Sequence, residues 1–520
     1  MSFVCAIISF SVLLSCGYFS SVSYSIFSAR ALWTCISRNF SRFLGEVDWF
    51  SMHAPTMSGI IRRIRSLYFG SFLSGVVCST LNEWVVSIFC IFKSVFLRLC
   101  ELESILNSAF DLSGMGVFRR LSELLKVDVK YIVKNGLWLG FGYGSVGFFR
   151  LLLVVILARF ADKQFFGEFQ FVSNAVAFAM LFSLPGMDTS VVQSVARGFS
   201  SSFVFGVREK LKWGLAGSLL LIGMAAFFKF VRFEGFWPVF IGAAFLFPLY
   251  AGYTGVLAYF RGKEEFHRAA LYDCLIAFVV FVVVLTAFLV SKSLLVMFLS
   301  SLLSVIIVFW IVYSRIDVNE KPVDKNMVSF GRHLTFMNSL NYVVPYVDKL
   351  VVGLFAGFDV LAVYYVATAF TPYVSATGRL FTVLLLPKLS RRLPDHSRCI
   401  KRLFWWFVLA VACFVGILAL IIPWLVPFVF SEKYVDAVFY AQFSLIYLAF
   451  FLPSTVIYAF FLGRRKTNVL YVYNLGIGVL NLLLLGLFVY LFGVFGAVLA
   501  KVVLGIVGFA FLVVFFYRNH

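Results

Sequence analysis

The sequence predicts an all-α integral membrane protein with about twelve transmembrane helices, arranged as two six-helix lobes around a central cavity. Three observations carry that expectation. Of the 520 residues, 62% are hydrophobic and 13% charged, which leaves too little polar surface to cover a water-soluble domain of this length. From Tyr131 onward, apolar runs alternate with short charged loops, and a run of about 20 residues crosses ~30 Å of hydrocarbon as a helix. The basic residues, finally, fall on every second loop.

The runs cover 136–158, 169–190, 213–231, 236–259, 270–290, 293–313, 334–356, 360–386, 403–425, 437–461, 468–490 and 495–517. Beginning with the flank before the first run, alternate loops hold 24 Lys and Arg, from Lys126 through Arg208, Lys210 and Lys212 to Arg464 and Arg518. The intervening loops hold six: Arg159, Lys163, Lys229, Arg232, Lys292 and Lys433. Lys and Arg accumulate on the cytoplasmic side of a membrane, so both ends of the twelve-run unit are expected there. The net charge of +20 is then a matter of topology and calls for no nucleic-acid partner.

An internal repeat underlies the two lobes. Leu153 to Asp162 (LVVILARFAD) aligns without gaps to Leu350 to Asp359 (LVVGLFAGFD), with five identities in ten at an offset of 197. The matched segments end the first and seventh runs, so each half holds six runs and starts on the same side. Parallel repeats of this kind are related by an axis along the membrane normal and enclose a cleft. The expected organisation is an amino-terminal extension over 1–125, a first lobe over 126–325 and a second over 326–520. The extension differs in texture, holding 23 serines and six of the nine cysteines. Its stretch Phe3 to Phe27 has no basic residue before it and lacks the n-region of a signal peptide. No CxxC or Cys/His spacing indicates a metal site, and no cofactor is expected.

Four cations lie inside predicted runs: Arg150, Lys349, Arg379 and Lys501. Facing lipid, each costs several kcal/mol, so each is expected at a watery cavity, an acidic partner or the interface. On a helical wheel Asn338, Asn341, Tyr342, Pro345 and Lys349 share one face of the seventh run, with Asp348 at its edge. Thr368, Thr371, Ser375, Gly378, Arg379 and Thr382 share one face of the eighth. Polar stripes of this kind line a cavity, or they serve helix packing through i−4 hydrogen bonds, with Asp348 neutralising a nearby cation. Lys501, near the start of the last run, lines the cavity or snorkels. Asp188 and Asp273 read as interfacial, and Gly136, Gly140, Gly144 and Gly147 as a packing ridge.

The portion from about 130 to 520 resembles the polysaccharide-transport branch of the multidrug/oligosaccharidyl-lipid/polysaccharide (MOP) exporter superfamily, and looks like an O-antigen (Wzx-type) flippase. The resemblance rests on RLLLVVILARFADKQFFGEFQFVSN at 150–174, SLPGMDTSVVQSVARG at 183–198, VDKLVVGLFAGFDVLAVYYVA at 347–367, LPKLS at 386–390 and GVFGAVLAK at 493–501. It implies a non-enzymatic protein of the bacterial inner membrane that moves an undecaprenyl-diphosphate-linked oligosaccharide between leaflets by alternating access. It also implies polysaccharide polymerase and chain-length proteins as partners beside the lipid bilayer. Arg150, Lys349 and Arg379 are then candidates to screen the diphosphate, with Lys501 beside them. Asn338, Asn341, Tyr342, Tyr346 and hydroxyls such as Thr371 and Ser375 suit sugar hydroxyls. Two other classes stay open. A polytopic sugar transferase or polymerase shares the basic, membrane-embedded composition, and a cation-coupled multidrug exporter belongs to the same superfamily but calls for cavity carboxylates.

Met115 is followed by GVFRRLSELLKVDVKYIVK, a basic amphipathic stretch that leads into the first run. A chain starting at Met115 is expected to insert and to support surface glycan display at the level of the full chain. Normal expression with lost display would assign residues 1–114 a role.

Overall fold

The computed structural model describes residues 129–518 apart from 233–234, 317–322, 325, 376–396 and 464–466. The amino-terminal extension, Arg379 and the rest of the eighth run beyond Ser375 therefore lie outside the described residues. Among the described residues the regular structure is helical throughout. The helices are α1 (Val129–Phe160), α2 (Lys163–Ala179), α3 (Gly186–Ala196), α4 (Ser202–Phe230), α5 (Trp237–Tyr253), α6 (Val256–Gly262), α7 (Phe266–Ser291), α8 (Leu294–Ser314), α9 (Met327–Met337), α10 (Ser339–Ala356), α11 (Phe358–Thr368), α12 (Ser397–Phe430), α13 (Asp436–Gly463) and α14 (Thr467–Arg518). Nine helical stretches among them are long and apolar enough to cross a membrane, and the chain is a multi-pass membrane protein.

The chain divides into two units at Phe141/Gly142. Of the first unit, residues 129–141 are helical, with the Trp138 and Phe141 rings edge-on at 6.2 Å. The second unit holds everything described below.

Where they are described, the predicted runs fall on helices, but several boundaries move for identifiable reasons. The second run starts at Lys163, directly after an extended Asp162 (φ −69°, ψ 153°). It stops where Leu184 turns left-handed (φ 58°) before Pro185, which has no N–H to continue the ladder. The third run opens at Ser202, so Arg208, Lys210 and Lys212, assigned to a loop by charge, stand on α4. The seventh run is two helices, α9 and α10, that meet at Asn338 (φ −100°, ψ 9°).

The last two runs join in one stretch of 52 residues. Straight, it would measure ~78 Å, more than twice the thickness of the hydrocarbon. Gly493 breaks it with φ 58° and ψ −131°, a conformation open to glycine and strained for other residues. Its two legs then fold back on each other, with the Tyr473 and Phe511 rings 6.1 Å apart.

The ends of α1, α4, α10 and α12 gather with the starts of α2, α11 and α13. There Arg159 donates to the Phe428 carbonyl, Lys433 donates to the Arg159 carbonyl at 3.2 Å, and Arg232 donates to the Leu354 carbonyl. Phe358, opening α11, inserts its ring between Phe171 (5.4 Å) and Phe236 (5.0 Å), which are rings from the first half of the chain. At the opposite end α3 packs on α9 and the segment before it. The Gly186 N–H donates to Thr335 Oγ1 at 3.0 Å, and Ser190 donates to the Met327 carbonyl at 2.6 Å. Both halves of the sequence are thus tied together at each end.

The two segments matched by the repeat occupy corresponding places. One leaves α1, passes a short break and enters α2; the other leaves α10, passes Gly357 (φ 94°) and enters α11. The expected glycine ridge on α1 is corrected: Gly136, Gly140 and Gly144 face open space, whereas Gly142 meets the Ala270 backbone and Gly147 meets Tyr373.

Close helix approach is instead built at Gly167 on α2, where a Cβ would run into the Phe358 backbone carbonyl. Gly167→Leu is therefore expected to lower the melting temperature of the purified protein, at a cost of about 1–3 kcal/mol for overpacking. Gly223→Ala, into open space, should leave it unchanged or slightly raised. Equal melting temperatures for wild type and Gly167→Leu would show that the two helices do not approach this closely.

Candidate functional site

Asp348 lies in the third turn of α10 and is 5% exposed. A carboxylate inside a membrane helix is stable only with its charge met, and three other side chains meet it. Lys501 on α14 places its Nζ 2.5 Å from Asp348 Oδ2. Tyr364 on α11, fully buried, donates its hydroxyl to the same oxygen at 2.9 Å. Lys349 has its backbone N–H on Oδ1 at 2.8 Å and its Nζ 3.7 Å away. The reading of Asp348 as a neutraliser of nearby cations is the observed arrangement. Lys501, offered a choice between cavity and interface, turns inward to the carboxylate.

The Lys349 ammonium also donates to the Pro345 carbonyl at 3.0 Å and lies 5.9 Å from the centroid of the Tyr365 ring. Arg150 on α1 lies beside that same tyrosine and near the phenols of Tyr346 and Tyr373. Tyr373 in turn donates to the Gly147 carbonyl of α1 at 3.1 Å. Arg150 is accessible and has no carboxylate within ion-pair distance among the described residues. An Arg inside a span with only phenols around it keeps most of its fork of N–H donors free. Its surroundings come from both halves of the chain: α1 in the first, α10, α11 and the helical residues 371–375 in the second.

The remaining sequence candidates divide. Asn338 donates to the Leu334 carbonyl at 3.0 Å, a bond within its own turn of chain, and Thr368 bonds the Tyr364 carbonyl at 2.9 Å in the same way. Thr371 has its hydroxyl buried without a partner among the described residues. Tyr342 is half-buried, on the Asp188 side of α10, and Ser375 ends the described part of the eighth run. Asn341 belongs to α10, and Arg379 lies outside the described residues. Helical periodicity does not single out Tyr364, Tyr365 and Tyr373. Their signal was a Tyr pair within an apolar run, since a membrane-buried hydroxyl needs a partner.

Two further carboxylates, read as interfacial, are paired inside the protein. Asp188 accepts from Lys210 at 2.7 Å, and that lysine is 1% exposed. Asp273 pairs with Arg261 at 3.0 Å, whose guanidinium lies 5.4 Å from the Tyr143 ring centroid. Glu209 is held between Lys212 at 3.0 Å and Arg332 at 3.1 Å. Asp188, Glu209, Asp273 and Asp348 thus each have a cation, while Arg150 has no carboxylate among the described residues.

Solved structures similar to this chain include the inward-facing conformation of a multidrug resistance MATE family transporter of the MOP superfamily, at 14% identity over 70% of this chain and 93% of that one, with a TM-score of 0.53. Another is the lipid II flippase MurJ in its inward closed conformation, at 14% identity over 74% of this chain and 87% of that one, with a TM-score of 0.54. At such identity they establish the fold, which is that of the MOP transporters. No curated protein matches the sequence. The sequence profile of one family, described as polysaccharide biosynthesis protein, matches residues 156–439, more than half of the 520 residues. With that match beside a MOP-type helical fold, the chain belongs to the polysaccharide biosynthesis protein family.

Proposed function

We propose that this protein moves an undecaprenyl-diphosphate-linked oligosaccharide, an O-antigen or other polysaccharide repeat unit, across the bacterial inner membrane by alternating access. One observation carries the reading: Arg150 is an accessible cation inside a membrane helix of the first half, beside tyrosines of the second half and without a carboxylate partner among the described residues. A diphosphate headgroup needs such a charge while it crosses a low-dielectric region, and a guanidinium supplies it with two parallel hydrogen bonds. Family membership supplies the polysaccharide context, and the fold supplies a transporter frame. Two six-helix lobes, 126–325 and 326–520, would rock around the site. Lys349 and Arg379 complete the cationic lining in this reading, with Lys501 held behind them. Tyr342, Asn338, Asn341, Thr371 and Ser375 supply polar groups for the glycan. The polyprenyl tail stays in lipid, and polymerase and chain-length proteins take the product.

A cavity built for cationic drugs calls for unpaired carboxylates. Asp188, Glu209, Asp273 and Asp348 are each paired with Lys or Arg, which favours an anionic cargo.

Both ends of the twelve-helix unit face the cytoplasm in this reading. Single cysteines at Asp395 and Arg465, in a cysteine-free background, should react with an impermeant thiol reagent only from the cytoplasmic side, and one at Glu432 only from outside. Labelling of Asp395 from the periplasm would overturn the orientation.

Arg150→Gln keeps length and hydrogen bonding but removes the charge. Surface glycan display per unit of folded protein should fall about tenfold or more, the loss of roughly one charge-assisted hydrogen bond. Lys at the same position should rescue partly, since charge returns without the fork. An unchanged ratio in Arg150→Gln removes this residue from transport.

A further inference from the structure

The Arg150 and Asp348 groups are joined through Tyr365 and Lys349 into one polar chain across the middle of the protein. It contains Arg150, Lys349 and Lys501 as cations and Asp348 as the single anion. Three positive charges against one negative leave two in excess, and a diphosphate diester carries one ionised oxygen on each phosphorus.

The two lysines hold Asp348 unequally. Lys501 is at 2.5 Å and has the aromatic face of Tyr364 5.0 Å from its ammonium. Lys349 is at 3.7 Å, and its Nζ is shared with the Pro345 carbonyl and the Tyr365 ring. The carboxylate side chain is 7% exposed, and the lysines are 19% and 25% exposed. An anion arriving at the accessible side therefore meets lysine ammonium groups first, with the carboxylate behind them. Lys349 is the one that shares Tyr365 with Arg150, so one headgroup can reach both.

A transporter that works by alternating access also crosses back empty. Cations stripped of their anion inside the membrane would raise the energy of that return step, and a ligand that binds too well holds the protein in one state. From this geometry we propose that Asp348 is a resident counter-anion: it occupies Lys349 and Lys501 in the empty transporter, yields Lys349 to the incoming diphosphate, and takes it back on release. The proposal rests on the diphosphate reading above and assigns Asp348 the regulation of that site. Asp348 is a positioning residue here, competing with the substrate for a shared cation.

The experiment measures the binding of undecaprenyl diphosphate to the purified full chain in nanodiscs, and in parallel the transport of lipid-linked sugar per folded protein. Asp348→Asn removes the competitor, so its dissociation constant should fall about tenfold, while turnover falls because release and return are slowed. A purely structural carboxylate would weaken binding or leave it unchanged, and either result overturns the proposal. If Asp348→Asn yields no folded protein, the comparison moves to Lys501→Met, in which Lys349 and Tyr364 still meet Asp348, against Asp348→Asn/Lys501→Met, in which neither the carboxylate nor its tight partner is left alone. The double variant should again bind about tenfold tighter than Lys501→Met, and equal affinities overturn the proposal. Wild-type protein that binds no undecaprenyl diphosphate overturns the transport reading and this inference together. Binding that is lost in Arg150→Gln but unaltered by removal of Asp348 overturns this inference alone.

Discussion

The carboxylate of Asp348 sits in a membrane helix among apolar neighbours, and in that medium an unmatched charge is not tolerated. Its requirement for partners draws three helices together. Lys501 arrives from α14, Tyr364 from α11 and Lys349 from α10 itself. Lys501 and Tyr364 converge on one oxygen, which fixes the rotation of α10 about its axis and with it the direction in which Lys349 and Tyr346 point. Because Tyr365 follows Tyr364, the same anchor sets the tyrosine that Arg150 reaches. The candidate site on α1 is therefore positioned by a carboxylate in the other half of the chain.

The same rule governs the rest of the interior. Lys210, 1% exposed, is neutralised by Asp188, and Asp273 by Arg261, while Glu209 sits between the exposed Lys212 and Arg332. Between these pairs the helices are held by shape rather than by polarity. Phe358 inserts into rings from α2 and the loop before α5, and Gly167 lets its backbone come close enough to do so. Lipid chains are as apolar as the side chains they replace, so small residues and interlocking rings, rather than the hydrophobic effect, decide which helices touch.

Beside the apolar packing that joins the two halves of the chain, polar contacts tie them on the Thr335 and Arg159 sides. They use backbone carbonyls as acceptors, as in Arg159 to Phe428, Lys433 to Arg159 and Ser190 to Met327. Carbonyl acceptors are available to many donors, so such bonds exchange at lower cost than a packed core rearranges.

The sequence by itself determined the class, the succession of apolar runs, the repeat at Leu153 and Leu350, and the short set of polar residues worth attention. Hydropathy and loop charge are properties of consecutive residues, and a membrane reads them one span at a time. The same text misplaced Lys210 in a loop and overlooked Tyr364 and Tyr365, because burial and partnership depend on helices far apart in the chain. Only the tertiary structure decided that Lys501 and Lys349 are engaged by Asp348 while Arg150 has none but phenols. In the sequence each is a cation inside an apolar run, and position along one helix does not give what the next helix brings against it. In a low-dielectric interior, that opposing partner determines whether a cation is spent on structure or left for a ligand.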